Sequence, residues 1–225
     1  DVTVDDTSTD AAVVDRTVPD GAEGPSSQRP ARSTFLALLR RSSLLRTVLV
    51  VTAAANLTVG GMVRVGLPSL ASSELAAGAA GFGGLLAAFT GGSLAGGLFS
   101  AGLAGLRRRG ATAMLSGVVL AAAVTAVPFV GYLGALVFLA VAGVASTVTN
   151  VLVITIVQTH TPAELLGRVM SAILFAALGL FPLSTVVAGL LVSNFGSPVV
   201  FVTTGAALLV AFGYGYWRPE LRRAA

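Results

Sequence analysis

The sequence contains no cysteine and no lysine, one histidine (His160) and one tryptophan (Trp217). Without cysteine there is no disulfide, no thiol nucleophile and no thiolate metal site. Charge is scarce too: charged residues make up 11% of the chain, against about 25% in soluble domains. After residue 32 the acids are Glu74, Glu164 and Glu220 alone. What abounds is apolar: 55% of residues are hydrophobic and the mean hydropathy is +0.88. A water-soluble fold is excluded on that balance. All fourteen cationic side chains are arginine. The resulting pI near 10.6 suits a nucleic-acid binder, but the arginines border apolar runs, where membrane topology accounts for them. No nucleic-acid partner, cofactor or metal is expected.

Residues 81–110 organise the rest. They form an apolar run of about twenty-five uncharged residues, rich in glycine, that ends in Arg107, Arg108 and Arg109. A helix needs ~20 residues to cross the ~30 Å hydrocarbon core. Glycine at this density costs a soluble helix roughly 1 kcal/mol per site; in a bilayer it lets a neighbouring backbone approach, and Gly92 and Gly96 have the G-x-x-x-G spacing. The arginines stop the helix and mark its inner side.

From the start of the chain, residues 1–32 hold Asp1, Asp5, Asp6, Asp10, Asp15, Asp20 and Glu23 among Thr, Ser, Pro and Gly. That mixture buries too little apolar surface to order itself and reads as a disordered acidic linker. The first residue is Asp rather than Met, which suggests a fragment. Residues 33–46, STFLALLRRSSLLR, read as an interfacial amphipathic segment, or as a continuation of the first membrane helix.

Residues 47–217 accommodate six crossings. The first covers about 47–70, ended by Pro68 and the polar Ser72, Ser73 and Glu74; the second covers 79–106. No formally charged residue lies between Gly110 and Ala163, enough chain for two helices, near 111–130 and 133–158. Pro128-Phe-Val-Gly131-Tyr-Leu-Gly134 makes the turn between them. The uncharged stretch 169–217 is divided by Ser193-Asn-Phe-Gly-Ser-Pro198 into a fifth and a sixth, with Pro182 kinking the fifth. Residues 218–225 form a tail. Arg40, Arg41 and Arg46 precede the first crossing; Arg107 to Arg109 follow the second, Arg168 the fourth, and Arg218, Arg222 and Arg223 the sixth. The opposite loops hold only Glu74. Every basic border falls on one side, which the positive-inside rule gives for an even number of helices with both termini cytoplasmic in the inner or plasma membrane.

Polar atoms inside lipid normally turn toward protein or water. Thr52, Asn56, Gly60 and Arg64 recur every four residues in the first crossing. In the fourth, Gly143, Ser146, Thr147 and Asn150 share a face, with Gln158 further along. The third and sixth carry no amide or charged side chain in their cores. The first and fourth are therefore expected to line a polar cavity, with Asn56, Arg64, Ser146, Thr147 and Asn150 its candidate residues, and the third and sixth to face lipid. Each has a plainer reading. Arg64 can snorkel to the outer interface; Asn56 and Asn150 can join helices by hydrogen bonds. Asn56-Leu57-Thr58 fits a glycosylation pattern but lies in a span. His160 reads as a loop residue, and Thr161-Pro162-Ala163-Glu164 has capping-box spacing. Gly91-Gly92-Ser93-Leu94-Ala95 misses G-x-S-x-G by its last residue, so a hydrolase is not expected.

Two loops carry a family resemblance. Gly102-Leu-Ala-Gly105-Leu-Arg107-Arg108-Arg109-Gly110 is similar to the loop signature of the major facilitator superfamily, although the signature's aspartate has no counterpart. Thr161-Pro162-Ala-Glu164-Leu-Leu-Gly167-Arg168-Val-Met170-Ser171 resembles the loop between the tenth and eleventh helices of its drug and siderophore exporters. With six crossings and the arginine placement, residues 33–225 resemble the carboxyl-terminal half of such a transporter, and residues 1–32 its central cytoplasmic loop. The resemblance implies an all-α half of two inverted three-helix repeats beside an N-terminal six-helix half, a cavity bordered by the first and fourth helices, and gating roles for Gly102, Gly105, Arg107, Arg108, Arg109, Gly167 and Arg168. It implies a carrier, not an enzyme, that exports small, largely apolar compounds. The other reading is a six-helix subunit that assembles with itself or with a separate membrane protein. No acid lies within a predicted span, so proton coupling would need a titrating group in the other half.

Overall fold

A computed structural model describes residues 43–103 and 109–217, and every regular element in them is helical. Six helical spans are long and apolar enough to cross a membrane: Arg46–Ser73, Gly78–Ser100, Arg109–Phe129, Gly131–His160, Ala163–Phe195 and Ser197–Trp217. They are called the first to sixth span below. The expected linker at 1–32, most of the interfacial segment at 33–46 and the tail at 218–225 lie outside the described residues.

Lipid cannot satisfy a backbone N–H or C=O, so a spanning segment must bond within itself. Its hydroxyls follow the same rule. Thr58 Oγ1 donates to the Ala54 carbonyl at 2.8 Å, Ser93 Oγ to Phe89 at 2.9 Å, Ser100 Oγ to Gly96 at 2.7 Å and Thr125 Oγ1 to Ala121 at 2.8 Å. Serine and threonine thus fold back four residues and present an almost apolar surface.

Among the described residues, the second and fourth spans form the most extensive contact. The Ala140 carbonyl lies against Gly92, the Val144 carbonyl against Gly96, and the Phe89 carbonyl against Gly143, so a Cβ at any of these glycines has no room. Tyr132 adds a hydrogen bond from its hydroxyl to the Gly81 carbonyl at 3.3 Å. A similar fit joins the third and sixth spans, where the Phe212 ring covers Gly117 and the Met114 sulfur lies over Gly215.

The first span packs mainly on the fifth and sixth, the fourth on the second and third, and the third on the sixth. Exchanging first with fourth, second with fifth and third with sixth turns these main pairings into themselves. The core runs through this arrangement, with Leu67, Leu70, Leu139, Leu152, Phe201, Leu208 and Phe212 inaccessible or nearly so.

Several expectations are corrected. Pro68 does not end the first span, which runs on to Ser73; five residues of π-helix, Met62–Gly66, precede it, and Leu67 N–H bonds to the Met62 carbonyl. Proline lacks an N–H and crowds the carbonyl four residues back, here that of Arg64, and the wider turn makes room for the ring. Pro182 does more than kink the fifth span: its helix stops at Gly179 and restarts at Phe181. The fifth span begins at Ala163, not near residue 169, because Pro162 stands at its N-cap; Glu164, Gly167 and Arg168 lie on its first turns rather than in a loop. With Pro162 as cap, Glu164 falls one place short of a capping box, and Thr161 makes no cap bond. His160 is the last residue of the fourth span, its Nδ1 paired with the Ile156 carbonyl at 3.0 Å.

The third and sixth spans, expected to face lipid, pack closely on each other. They are among the most buried, while the second and fifth are the least. Each keeps an exposed edge, with Leu115 on one and Val210 on the other. Lipid tails are as apolar as leucine, so an apolar helix rich in small residues suits a protein interior as well as lipid.

The tight seam yields a stability prediction. Leucine at Gly92 or Gly143 should destabilise the helical domain by about 1–3 kcal/mol through overpacking. Leucine at Gly91 or Gly97, where nothing lies within contact distance, should change stability by less than about 0.5 kcal/mol. Thermal unfolding of the four variants in detergent, followed by circular dichroism, checks the contrast; equal losses at all four positions would refute it.

Candidate functional site

A cleft of about 120 Å³ opens between the first, third, fourth and sixth spans. Thr52 and Asn56 of the first span face Ser146, Thr149 and Asn150 of the fourth across it, and Val51, Ala55, Val59, Leu120, Val153 and Phe212 complete the wall. Asn56 is ten residues past Arg46, and Asn150 is ten residues before His160. At 1.5 Å per residue both lie about 15 Å from the ends of their spans on the same side. They meet at one depth.

The polar groups are neutral and partly committed. Asn56 Nδ2 donates to the Thr52 carbonyl at 2.8 Å, which fixes the amide along its own helix. One further N–H and the Oδ1 acceptor remain for a water or a solute. Thr149 is buried and its Oγ1 is directed to the Ala113 carbonyl of the third span at 3.4 Å. Asn150 is exposed at the mouth. The cleft can therefore hold an uncharged or weakly polar solute by hydrogen bonds and apolar contact. Among the described residues, no group of three His, Cys, Asp or Glu side chains is placed to hold a metal ion.

The structure separates the other candidates. Thr147 does not line the cleft; with Gly143 it packs on the second span, its Cβ beside Gly96. The polar arc of the fourth span thus divides, Gly143 and Thr147 toward the second span and Ser146 and Asn150 toward the first. Arg64 lies two turns beyond Asn56, outside the cleft, with its guanidinium 4.5 Å from the centroid of the Phe181 ring. Gly60, between them, packs against Phe181 and Ser184. Of the loop residues, Gly102 is exposed in the last turn of the second helix, Arg109 opens the third span, and Gly167 and Arg168 are exposed on the fifth. Gly105, Arg107 and Arg108 lie outside the described residues. Phe212 and Leu120 went unmarked by the sequence reasoning because both are apolar residues on spans assigned to lipid.

The absence of native cysteine allows a direct test of the cleft. Cysteine introduced at Asn56 or Asn150 should react with a water-soluble thiol reagent in membrane vesicles. Cysteine at buried Leu208 or at Val210, exposed on the sixth span, should react at least about tenfold more slowly, since the thiolate forms where water reaches it. Equal rates at all four would mean that the cleft is dry. Comparison with known proteins adds nothing to this geometry, for no family model, no curated protein and no solved structure matches the chain.

Proposed function

We propose that this chain is one half of a secondary transporter of the major facilitator type, which moves small, largely apolar compounds out of the cell by alternating access. The observation that carries the reading is the exchange pattern of the spans. Helices three apart in a serial bundle run in opposite directions, so exchanging first with fourth, second with fifth and third with sixth relates two three-helix units of inverted topology. Inverted repeats with a solute site at their interface are a common plan of secondary carriers. The cleft fits that plan, because it lies between the first and fourth spans and each contributes an asparagine.

The second and fifth spans, the least covered, are also an exchange-related pair. They leave a face on which a second six-helix half would pack. The same bareness favours the alternative, a six-helix subunit that pairs with its own copy. In the transporter reading both termini are cytoplasmic in the cell membrane, the arginine-bordered ends face inward, and the protein is a carrier rather than an enzyme. A proton-coupled version draws its titrating group from the other half, since Glu74 and Glu164 stand at span ends.

Reporter fusions at Arg109 and after Ala225 should read cytoplasmic, and one at Glu74 external. Reconstituted alone, the chain should not drive solute uptake in response to a pH gradient. Joined to a complementary half, it should move lipophilic dyes saturably, and Asn56→Ala with Asn150→Ala should slow that flux by about tenfold. Matching labels at Glu74 and the C-terminus would remove the topology. Saturable, gradient-driven transport by the isolated chain would replace the half-carrier with a self-assembling one.

A further inference from the structure

Arg64 is the one charged side chain among the described residues that lies more than two helical turns from either end of its span. A snorkelling arginine extends its head to the membrane surface. This one is held over Phe181, two residues past the midpoint of the Ala163–Phe195 span. The charge therefore sits near the middle depth of the fifth span.

Little in the described structure balances it. The described carboxylates are Glu74 and Glu164, both at span ends, and neither forms an ion pair with Arg64. An aromatic ring attracts a cation but returns less than an arginine loses inside hydrocarbon. Arg64 is also exposed, and a lipid tail against its charge would be costly.

The backbone around it is irregular on both sides. Arg64 occupies the centre of the π-helical stretch Met62–Gly66, and Phe181 opens the segment that follows the break at Leu180. Irregular backbone at membrane depth is tolerated where it is enclosed by protein or lines a water-filled cavity, and π-bulges recur at functional sites. Here two irregularities face each other across a permanent cation. Arginine presents a planar donor fork that matches carboxylate, sulfonate and phosphate oxygens.

We propose that Arg64, stacked on Phe181 where the first and fifth spans are both irregular, binds the anionic group of an otherwise apolar transported compound. The ligand class is an organic anion: a carboxylate, a sulfonate or a phosphate monoester on a hydrocarbon body. The word transported rests on the carrier reading above; the anion site does not.

The test uses the unmodified chain in phosphatidylcholine vesicles, treated with the arginine reagent phenylglyoxal. Adduct formation at Arg64 is followed by mass spectrometry with octanoate, octanesulfonate, octyl phosphate or neutral octanamide present. Arg64 should be modified, and at least one anion should slow its modification by about tenfold, the factor of one hydrogen bond to a charged group. Octanamide should not slow it. An unreactive Arg64, no protection by any of the three anions, or equal protection by octanamide would each overturn the site. So would protection by phosphatidylglycerol in the vesicles alone, which would make the anion a lipid headgroup. Saturable dye transport alongside any of those results would leave the carrier standing without its anion. Protection by an anion without transport in any assembly would keep the site and remove the carrier.

Discussion

A lipid tail offers a leucine side chain as much contact as another helix does, so membrane helices associate only where their backbones come close. In this chain that constraint is met first between the second and fourth spans. The carbonyls of Ala140 and Val144 rest on Gly92 and Gly96, and the Phe89 carbonyl rests on Gly143. This contact also sets the rotation of the fourth span. With Gly143 and Thr147 turned to the second span, Ser146, Thr149, Asn150 and Val153 are turned toward the first, and the cleft follows.

The first and fifth spans solve a different problem. Each carries a proline beyond its first turn, and each answers with broken regularity: a π-helical stretch before Pro68 and a stop at Gly179 before Pro182. The two irregular regions pack together. Ser184 and Ala188 fit over Gly61, and the Phe181 ring lies against Gly60 and under Arg64. Glycine at residues 60 and 61 thus lets the segment after the fifth span's break approach the turn before the first span's.

The number of spans, their order and the turns near residues 128–131 and 193–198 were legible in the sequence, because uncharged length and turn residues report directly on what lipid tolerates. Asn56 and Asn150, the amides marked in the sequence, line one cleft. What was not legible concerns which apolar surface meets protein. Periodicity marks polar residues against apolar ones, yet Leu208 at full burial and Val210 in the open are two residues apart and equally apolar. The third and sixth spans were assigned to lipid for that reason, although Gly117, Gly205 and Gly215 carried the signal of close packing. Thr147 shares an arc with Ser146 and Asn150 by spacing, yet its Cβ packs beside Gly96 of the second span.

Hydroxyl bonds within a helix are short, and several between spans are long. Hydroxyls bonded four residues back along their own helix lie at 2.7–2.9 Å for Thr58, Ser93, Ser100 and Thr125. Four bonds that cross between spans are longer, at 3.2 Å for Ser73 with Ser197, 3.3 Å for Tyr132, and 3.4 Å for Thr149 and Thr204. Bonds near 3.4 Å lie beyond the usual range and add little specificity. Shape must supply it, through glycine seams that leave no room for a methyl group. Such packing resists graded deformation. In a carrier built from this unit, movement would fall between halves, across the poorly covered second and fifth spans, rather than through the seams within one. The cleft and the Arg64–Phe181 stack would then travel with the half as fixed features, each keeping its own geometry.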